Sequence, residues 1–179
     1  LSEGDSETAL QLAEKALALR PKHEEVQDTL LQLQARAEDW AGARKTLSTK
    51  LKTGTLPRDV FKRRDAVLAL SASQGVAEEG ASLEQREQAI EANRLSPDLV
   101  PAAAMAARAY LEQGKKRPAI KVLKKAWEAQ PHPDLAHVFA AVEPDESAAA
   151  RVKRFEQLAR LKPQDDETCL IMAELHIVA

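Results

Sequence analysis

Aromatic side chains are scarce in this 179-residue chain, at 3% of residues, although 44% are hydrophobic and alanine is abundant. A core of small side chains lets backbones approach closely, which suits packed helices better than a sheet. The single cysteine, Cys169, excludes an internal disulfide. That fits a reducing compartment and equally a periplasmic domain that needs no bridge. Neither sign of charge dominates, with 26 Lys plus Arg against 28 Asp plus Glu and a net charge of −2. No overall field would therefore gather nucleic acid or an anionic membrane. No run approaches the roughly 20 apolar residues of a membrane-spanning helix. The opening Leu1-Ser2-Glu3-Gly4 has neither the charged nor the apolar region of a signal peptide. It also lacks an initiator methionine, so the chain reads as a soluble segment of a longer protein, whose anchor or signal could lie upstream.

What is present is a period. Pro97 and Pro131 stand 34 residues apart, and each closes the same frame: Gln85-x3-Ala89 before the first and Ala119-x3-Leu123 before the second. Ala9-x3-Ala13 with Pro21, Ala43-x3-Leu47, and Arg151-x3-Phe155 with Pro163 fit that frame too. A small residue at a close helix crossing followed by a helix-ending proline, repeating every 34 residues, resembles the tetratricopeptide repeat. Its first-helix signature recurs loosely, as in Ala103-x2-Ala106-Ala107-x2-Tyr110. Turns between paired helices are expected at Gly4-Asp5, Glu38-Asp39, Gly80-Ala81 and Gly114-Lys115, with glycine closing a helix in the left-handed conformation. The resemblance implies an all-α, right-handed superhelix running through residues 1–179 as one array cut at both ends. It begins with a second helix at 5–20. Helix pairs follow at about 24–51, 57–96, 98–130 and 133–162, and a lone first helix at 166–178 closes the array. Longer loops are expected around Lys52–Pro57 and Gly75–Gly80, and Pro144-Asp145-Glu146-Ser147 should end one short helix and cap the next.

Three stretches, Leu95-Ser96-Pro97-Asp98-Leu99-Val100-Pro101, Ala126-Trp127-Glu128-Ala129-Gln130-Pro131-His132-Pro133-Asp134 and Arg151-Val152-Lys153-Arg154-Phe155, resemble the HemY family over roughly residues 60–179. That resemblance implies a bacterial inner-membrane protein with an N-terminal anchor, tetratricopeptide repeats and a link to haem biosynthesis, without an established enzymatic activity. The segment would be its soluble part, with the cytoplasmic side as the working expectation.

Sites of chemistry are few. His132, between two prolines, could bind a metal, but the same Pro-His-Pro-Asp reads as a rigid helix start capped by His132 or Asp134. His137, five residues on, misses the i, i+4 spacing of two ligands on one face. His132, His137, His176 and Cys169 could ligate haem, although no C-x-x-C-H attachment motif is present. Cys169 reads as a small buried hydrophobe, and Trp127 as packing between repeats. Arg58, Lys62, Arg63, Arg64 and the run Lys115-Lys116-Arg117 have no interleaved aromatics to stack bases, so nucleic acid is not an expected partner. The carboxylates lack a phosphate loop, a nucleophile elbow or an H-E-x-x-H frame, and no enzyme or resident cofactor is expected.

First helices of such repeats line a concave surface that can hold a peptide. By register the inward residues are Asp28, Gln32 and Arg36 in one repeat, Arg63 and Arg64 in the next, Met105, Arg108 and Glu112 in the following one, and Phe139 after that. The expectation is a scaffold for a protein or peptide partner. A direct carrier of a tetrapyrrole or metal is the alternative. Leu170, Ile171, Leu175 and Ile177 on the terminal helix point to self-association through the ends of the array.

Overall fold

The computed structural model describes the backbone of residues 3–73 and 82–179, with side chains from residue 7 onward. Among the described residues every regular element is a helix. In order these are α1 (Glu3–Leu19), α2 (Glu24–Arg36), α3 (Trp40–Lys52), α4 (Arg58–Ala72), α5 (Leu83–Leu95), α6 (Val100–Glu112), α7 (Lys116–Ala129), α8 (Pro133–Ala140), α9 (Ala148–Ala159) and α10 (Asp166–Val178). The chain forms two compact units, Leu1–Ala72 and Ser73–Ala179. The helix pair expected at 57–96 is thereby divided, with α4 in the first unit and α5 in the second. The loop expected at Gly75–Gly80 and the turn at Gly80-Ala81 lie outside the described residues. Gly4-Asp5, read as a turn, falls inside the first turn of α1.

Local chemistry sets the helix ends. The Asp39 carboxylate accepts from the Gly42 N–H at the start of α3, Ser147 accepts from Ala150 at α9, and Asp165 accepts from Glu167 at α10. Ser82 and Gln85 form a reciprocal capping box at α5, satisfying two helix-start donors that would otherwise be unpaired. The Nδ1 of His132 accepts from the Asp134 N–H at 3.2 Å, so the Pro-His-Pro-Asp segment is a helix start. Between α6 and α7 the chain turns through Gly114 at φ +70°. At the matching turn between α2 and α3, Glu38 takes φ +56°, a conformation that disfavours any residue with a Cβ.

In the first unit α1 packs on α2, α2 on α3, and α3 on α4. Ala43 and Leu47, the repeat positions of α3, are fully buried. So are several polar groups. Gln27 of α2 donates to the Pro21 carbonyl at 2.6 Å and to Thr53 Oγ1 at 3.1 Å, while Thr55 donates to its Oε1 at 2.8 Å. Thr46 of α3 donates to Gln34 of α2 at 2.8 Å. Arg44 grips both oxygens of Asp65 on α4, at 2.6 and 3.1 Å. Lys50 of α3, almost wholly buried, reaches Asp28 of α2 at 2.6 Å.

The second unit is joined differently. Seven residues of α6 are buried, all of them Ala or Val with no polar atom beyond the backbone: Val100, Ala102, Ala103, Ala104, Ala106, Ala107 and Ala109. This lets α6 pack closely on α5, α7 and α8. Ala119 and Leu123, the repeat positions of α7, are fully buried beside Trp127. Phe139 of α8 and Phe155 of α9 meet edge to face, centroids 5.0 Å apart at 83°, a favoured aromatic geometry.

Arg154 of α9 closes this aromatic cluster. Its guanidinium lies 4.7 Å from the Phe139 centroid and 5.4 Å from that of Phe155. It donates to both oxygens of Glu146 and to the carbonyls of Phe139 and Ala140, the last of α8. Arg151 adds donors to Glu146 at 3.3 Å and to the Pro144 carbonyl at 3.1 Å. The carbonyls that end α8 thus accept both from Arg154 and from the backbone N–H groups of Val142 and Glu143, so that the end of this eight-residue helix is satisfied inside a packed unit. The hydrogen bond and charge of Arg154, aided by Arg151, hold the Glu146 carboxyl below its ordinary pKa against the opposing effect of burial.

Candidate functional site

Within the first unit, α2 and α4 face each other across a cleft of about 530 Å³. Four residues expected on the groove line it together: Asp28 and Gln32 from α2, Arg63 and Arg64 from α4. Its floor is apolar, formed by Leu31, Ala35, Leu47, Val67 and Leu68. Sequence reasoning missed that floor, yet helical spacing carries it: Val67 and Leu68 follow Arg63 and Arg64 by four residues, and Ala35 follows Leu31 by four. Val67 remains exposed although it is β-branched and apolar.

The lining carries one carboxylate and two guanidinium groups. Asp28 is held by Lys50 at 2.6 Å, so the only carboxylate of the lining is already compensated from beneath. Asp65, the neighbour of Arg64, is taken by Arg44. Arg63 and Arg64 of α4 thus line the cleft beside an apolar floor. Planar guanidinium suits bidentate bonds to a carboxylate.

The remaining expected residues are placed elsewhere. Arg36 stands exposed in the last turn of α2, outside the cleft lining. Met105 of α6 is half-buried against Ala89 and Ala109, and its sulfur lies 4.0 Å from the Ser73 hydroxyl. Arg108 is half-buried on the same helix. Glu112 is engaged by Arg86 of α5 at 2.6 Å. Phe139, expected to face a groove, is fully buried in the aromatic cluster of the second unit. The short α8 turns Leu135, Ala136, Val138 and Phe139 all inward, so no face of it is left for Phe139 to share with solvent.

Two further expectations are corrected. Cys169 is exposed and its neighbour Thr168 is the buried residue of α10, a shift of one position that turns the thiol outward. Of the four apolar residues on α10, Ile171 and Leu175 pack against the core of their unit, while Leu170 and Ile177 are exposed. Among the described residues no group of His, Cys, Asp and Glu is arranged to hold a metal ion. No described helix is long and apolar enough to cross a membrane.

No protein-family model matches the chain, and no curated protein matches it significantly. Solved structures do match. One is the crystal structure of a thermophilic TPR protein of Thermus thermophilus, 18% identical, covering 97% of this chain and 92% of that one, with a TM-score of 0.41.

Proposed function

We propose that this chain is a protein-interaction scaffold that holds an extended or helical segment of a partner in the cleft between α2 and α4. The observation that supports this reading is the pairing of an apolar floor with two exposed arginines, Arg63 and Arg64, on one wall of the cleft. A segment presenting an acidic side chain or terminal carboxylate beside an apolar one matches it. Loss of one side of a buried, charge-assisted contact costs on the order of 2–5 kcal/mol in binding. The test compares wild type with the double variant Arg63→Glu plus Arg64→Glu in crosslinking pull-downs from native extracts and in denaturant unfolding. Partners should be lost while stability shifts by no more than about 0.5 kcal/mol, as expected for exposed positions. Partners retained by a stably folded variant would refute the cleft assignment.

The finer reading, a scaffold beside haem-biosynthetic enzymes at a bacterial inner membrane, has the sequence resemblance to the HemY family as its only support. The side of the membrane and an anchor preceding the segment belong to that same proposal. Titration with haemin separates it from the carrier alternative. A saturable Soret shift lost on replacing His132 or His176 would replace the scaffold with a tetrapyrrole carrier.

A further inference from the structure

A second cleft, also of about 530 Å³, lies within the second unit between α8, α9 and α10, and its character is opposite to that of the first. On α10 the residues Glu167, Leu170, Ile171, Glu174 and Leu175 all line it. Their spacing of i, i+3, i+4, i+7 and i+8 makes them one continuous helical stripe, in which two carboxylates flank three apolar side chains. Asp134 of α8 adds a third carboxylate on the facing wall. Leu170, at the centre of the stripe, is 59% exposed, an apolar cost unless something covers it.

Among the cations of the lining, Arg151 is turned to Glu146 and the Pro144 carbonyl, outside this set of carboxylates. His137 is the other basic residue there. Asp134 lies 3.6 Å from His132 Nδ1, which already accepts the Asp134 N–H as a helix cap. The field over the apolar stripe is therefore set by carboxylates. A bound anion or acidic segment would be repelled, and a second copy docking through the same stripe would bring like charges together.

We infer that this cleft docks a basic amphipathic helix of a partner protein, with leucine-like side chains over Leu170 and Ile171 and lysine or arginine side chains against Glu167 and Glu174. Complementary charge and matched i, i+3, i+4 spacing specify that occupant. The inference is independent of the α2–α4 cleft, which lies in the other unit.

The test uses the whole 179-residue chain and two synthetic 14-residue amidated peptides with the same amphipathic spacing, one of Leu and Lys, the other of Leu and Glu, followed by fluorescence anisotropy. The Leu/Lys peptide should bind at one saturable site at least about tenfold more tightly than the Leu/Glu peptide, and more weakly as salt rises and screens the carboxylates. Glu167→Lys with Glu174→Lys should weaken it about tenfold, and Arg64→Ala should leave it within about twofold. Should the double variant lose helicity by circular dichroism, Glu174→Gln at an exposed position carries the test, with a loss of about threefold. Equal affinity for the two peptides, or unchanged binding by a folded Glu variant, overturns the inference. So would a concentration-dependent dimer abolished by Leu170→Asp, because it would assign the stripe to a second copy.

Discussion

The side chains buried in Leu1–Ala72 include Gln27, Gln34, Thr46, Lys50 and Asp65, whereas those in Ser73–Ala179 centre on Trp127, Phe139, Phe155, Leu123 and Leu158. Both apolar clusters of the described residues belong to the second unit. One repeat frame thus supports two ways of joining helices. Apolar burial contributes roughly 25 cal/mol per Å² whatever its orientation. A buried hydrogen bond contributes only about 1 kcal/mol net but is costly to leave half-made. The first unit should therefore be specified by directional bonds and the second by volume and shape. The arginine-walled cleft lies in the unit whose helices are joined by polar groups, and binding surfaces are commonly drawn from the less stable parts of a fold.

Changes aimed at each unit's own means of cohesion should separate the two. Phe139→Ala removes a fully buried ring from between Phe155 and Arg154. It should cost about 3–5 kcal/mol in denaturant unfolding of the second unit, and a loss below about 1 kcal/mol would mean the aromatic cluster is not its core. In the first unit Gln27→Leu preserves volume but removes the donor to the Pro21 carbonyl and the acceptor of the Thr55 hydroxyl, which keeps the Lys50 carbonyl. The expected loss is about 1–3 kcal/mol. A stabilised variant would show that apolar packing suffices there too.

The Glu146 cluster gives the comparison a pH axis. Arg154 and Arg151 depress this carboxyl in the folded state, so the folded form holds its proton less tightly than the unfolded form. The resulting stabilisation is complete above the ordinary carboxylate pKa and is lost as pH falls through the depressed one. Unfolding of the second unit followed from pH 7 downward should show this acid loss, and Glu146→Gln should flatten it while lowering stability at neutral pH. An identical acid profile in wild type and variant would place the linkage on other carboxylates. The smallest effect concerns the turn at Glu38. Replacing it by glycine relieves a positive φ and should stabilise the first unit by about 0.5–1 kcal/mol, readable as a shift in its unfolding midpoint. No gain would indicate that the Glu38 side chain offsets its backbone strain.

Much of this architecture was legible because the repeat positions are local. Ala43 and Leu47, then Ala119 and Leu123, are fully buried where the 34-residue frame put them, and helix bounds follow from prolines, caps and the Gly114 turn. Four residues expected on the groove, Asp28, Gln32, Arg63 and Arg64, do line one cleft; that they hold a partner there is the proposed function. Residues were misplaced where a distant partner decides. Glu112 is taken by Arg86, 26 positions away, and Phe139 packs edge to face on Phe155, 16 positions away, under Arg154. Cys169 was misjudged by a single position on a helix, where one step rotates a side chain by about 100°. The division after Ala72 falls beside Gly75–Gly80, where the period lengthens, but the period alone reads as a longer loop within one array.

Native-state hydrogen exchange, read peptide by peptide on the unmodified chain, tests the contrast between the units most directly. Amides of α2, α3 and α4 should open at distinctly lower free energy than those of α6, α7 and α9, as local stability tracks buried apolar contact. Equal protection in the two sets, or greater protection in α2 to α4, would contradict the account.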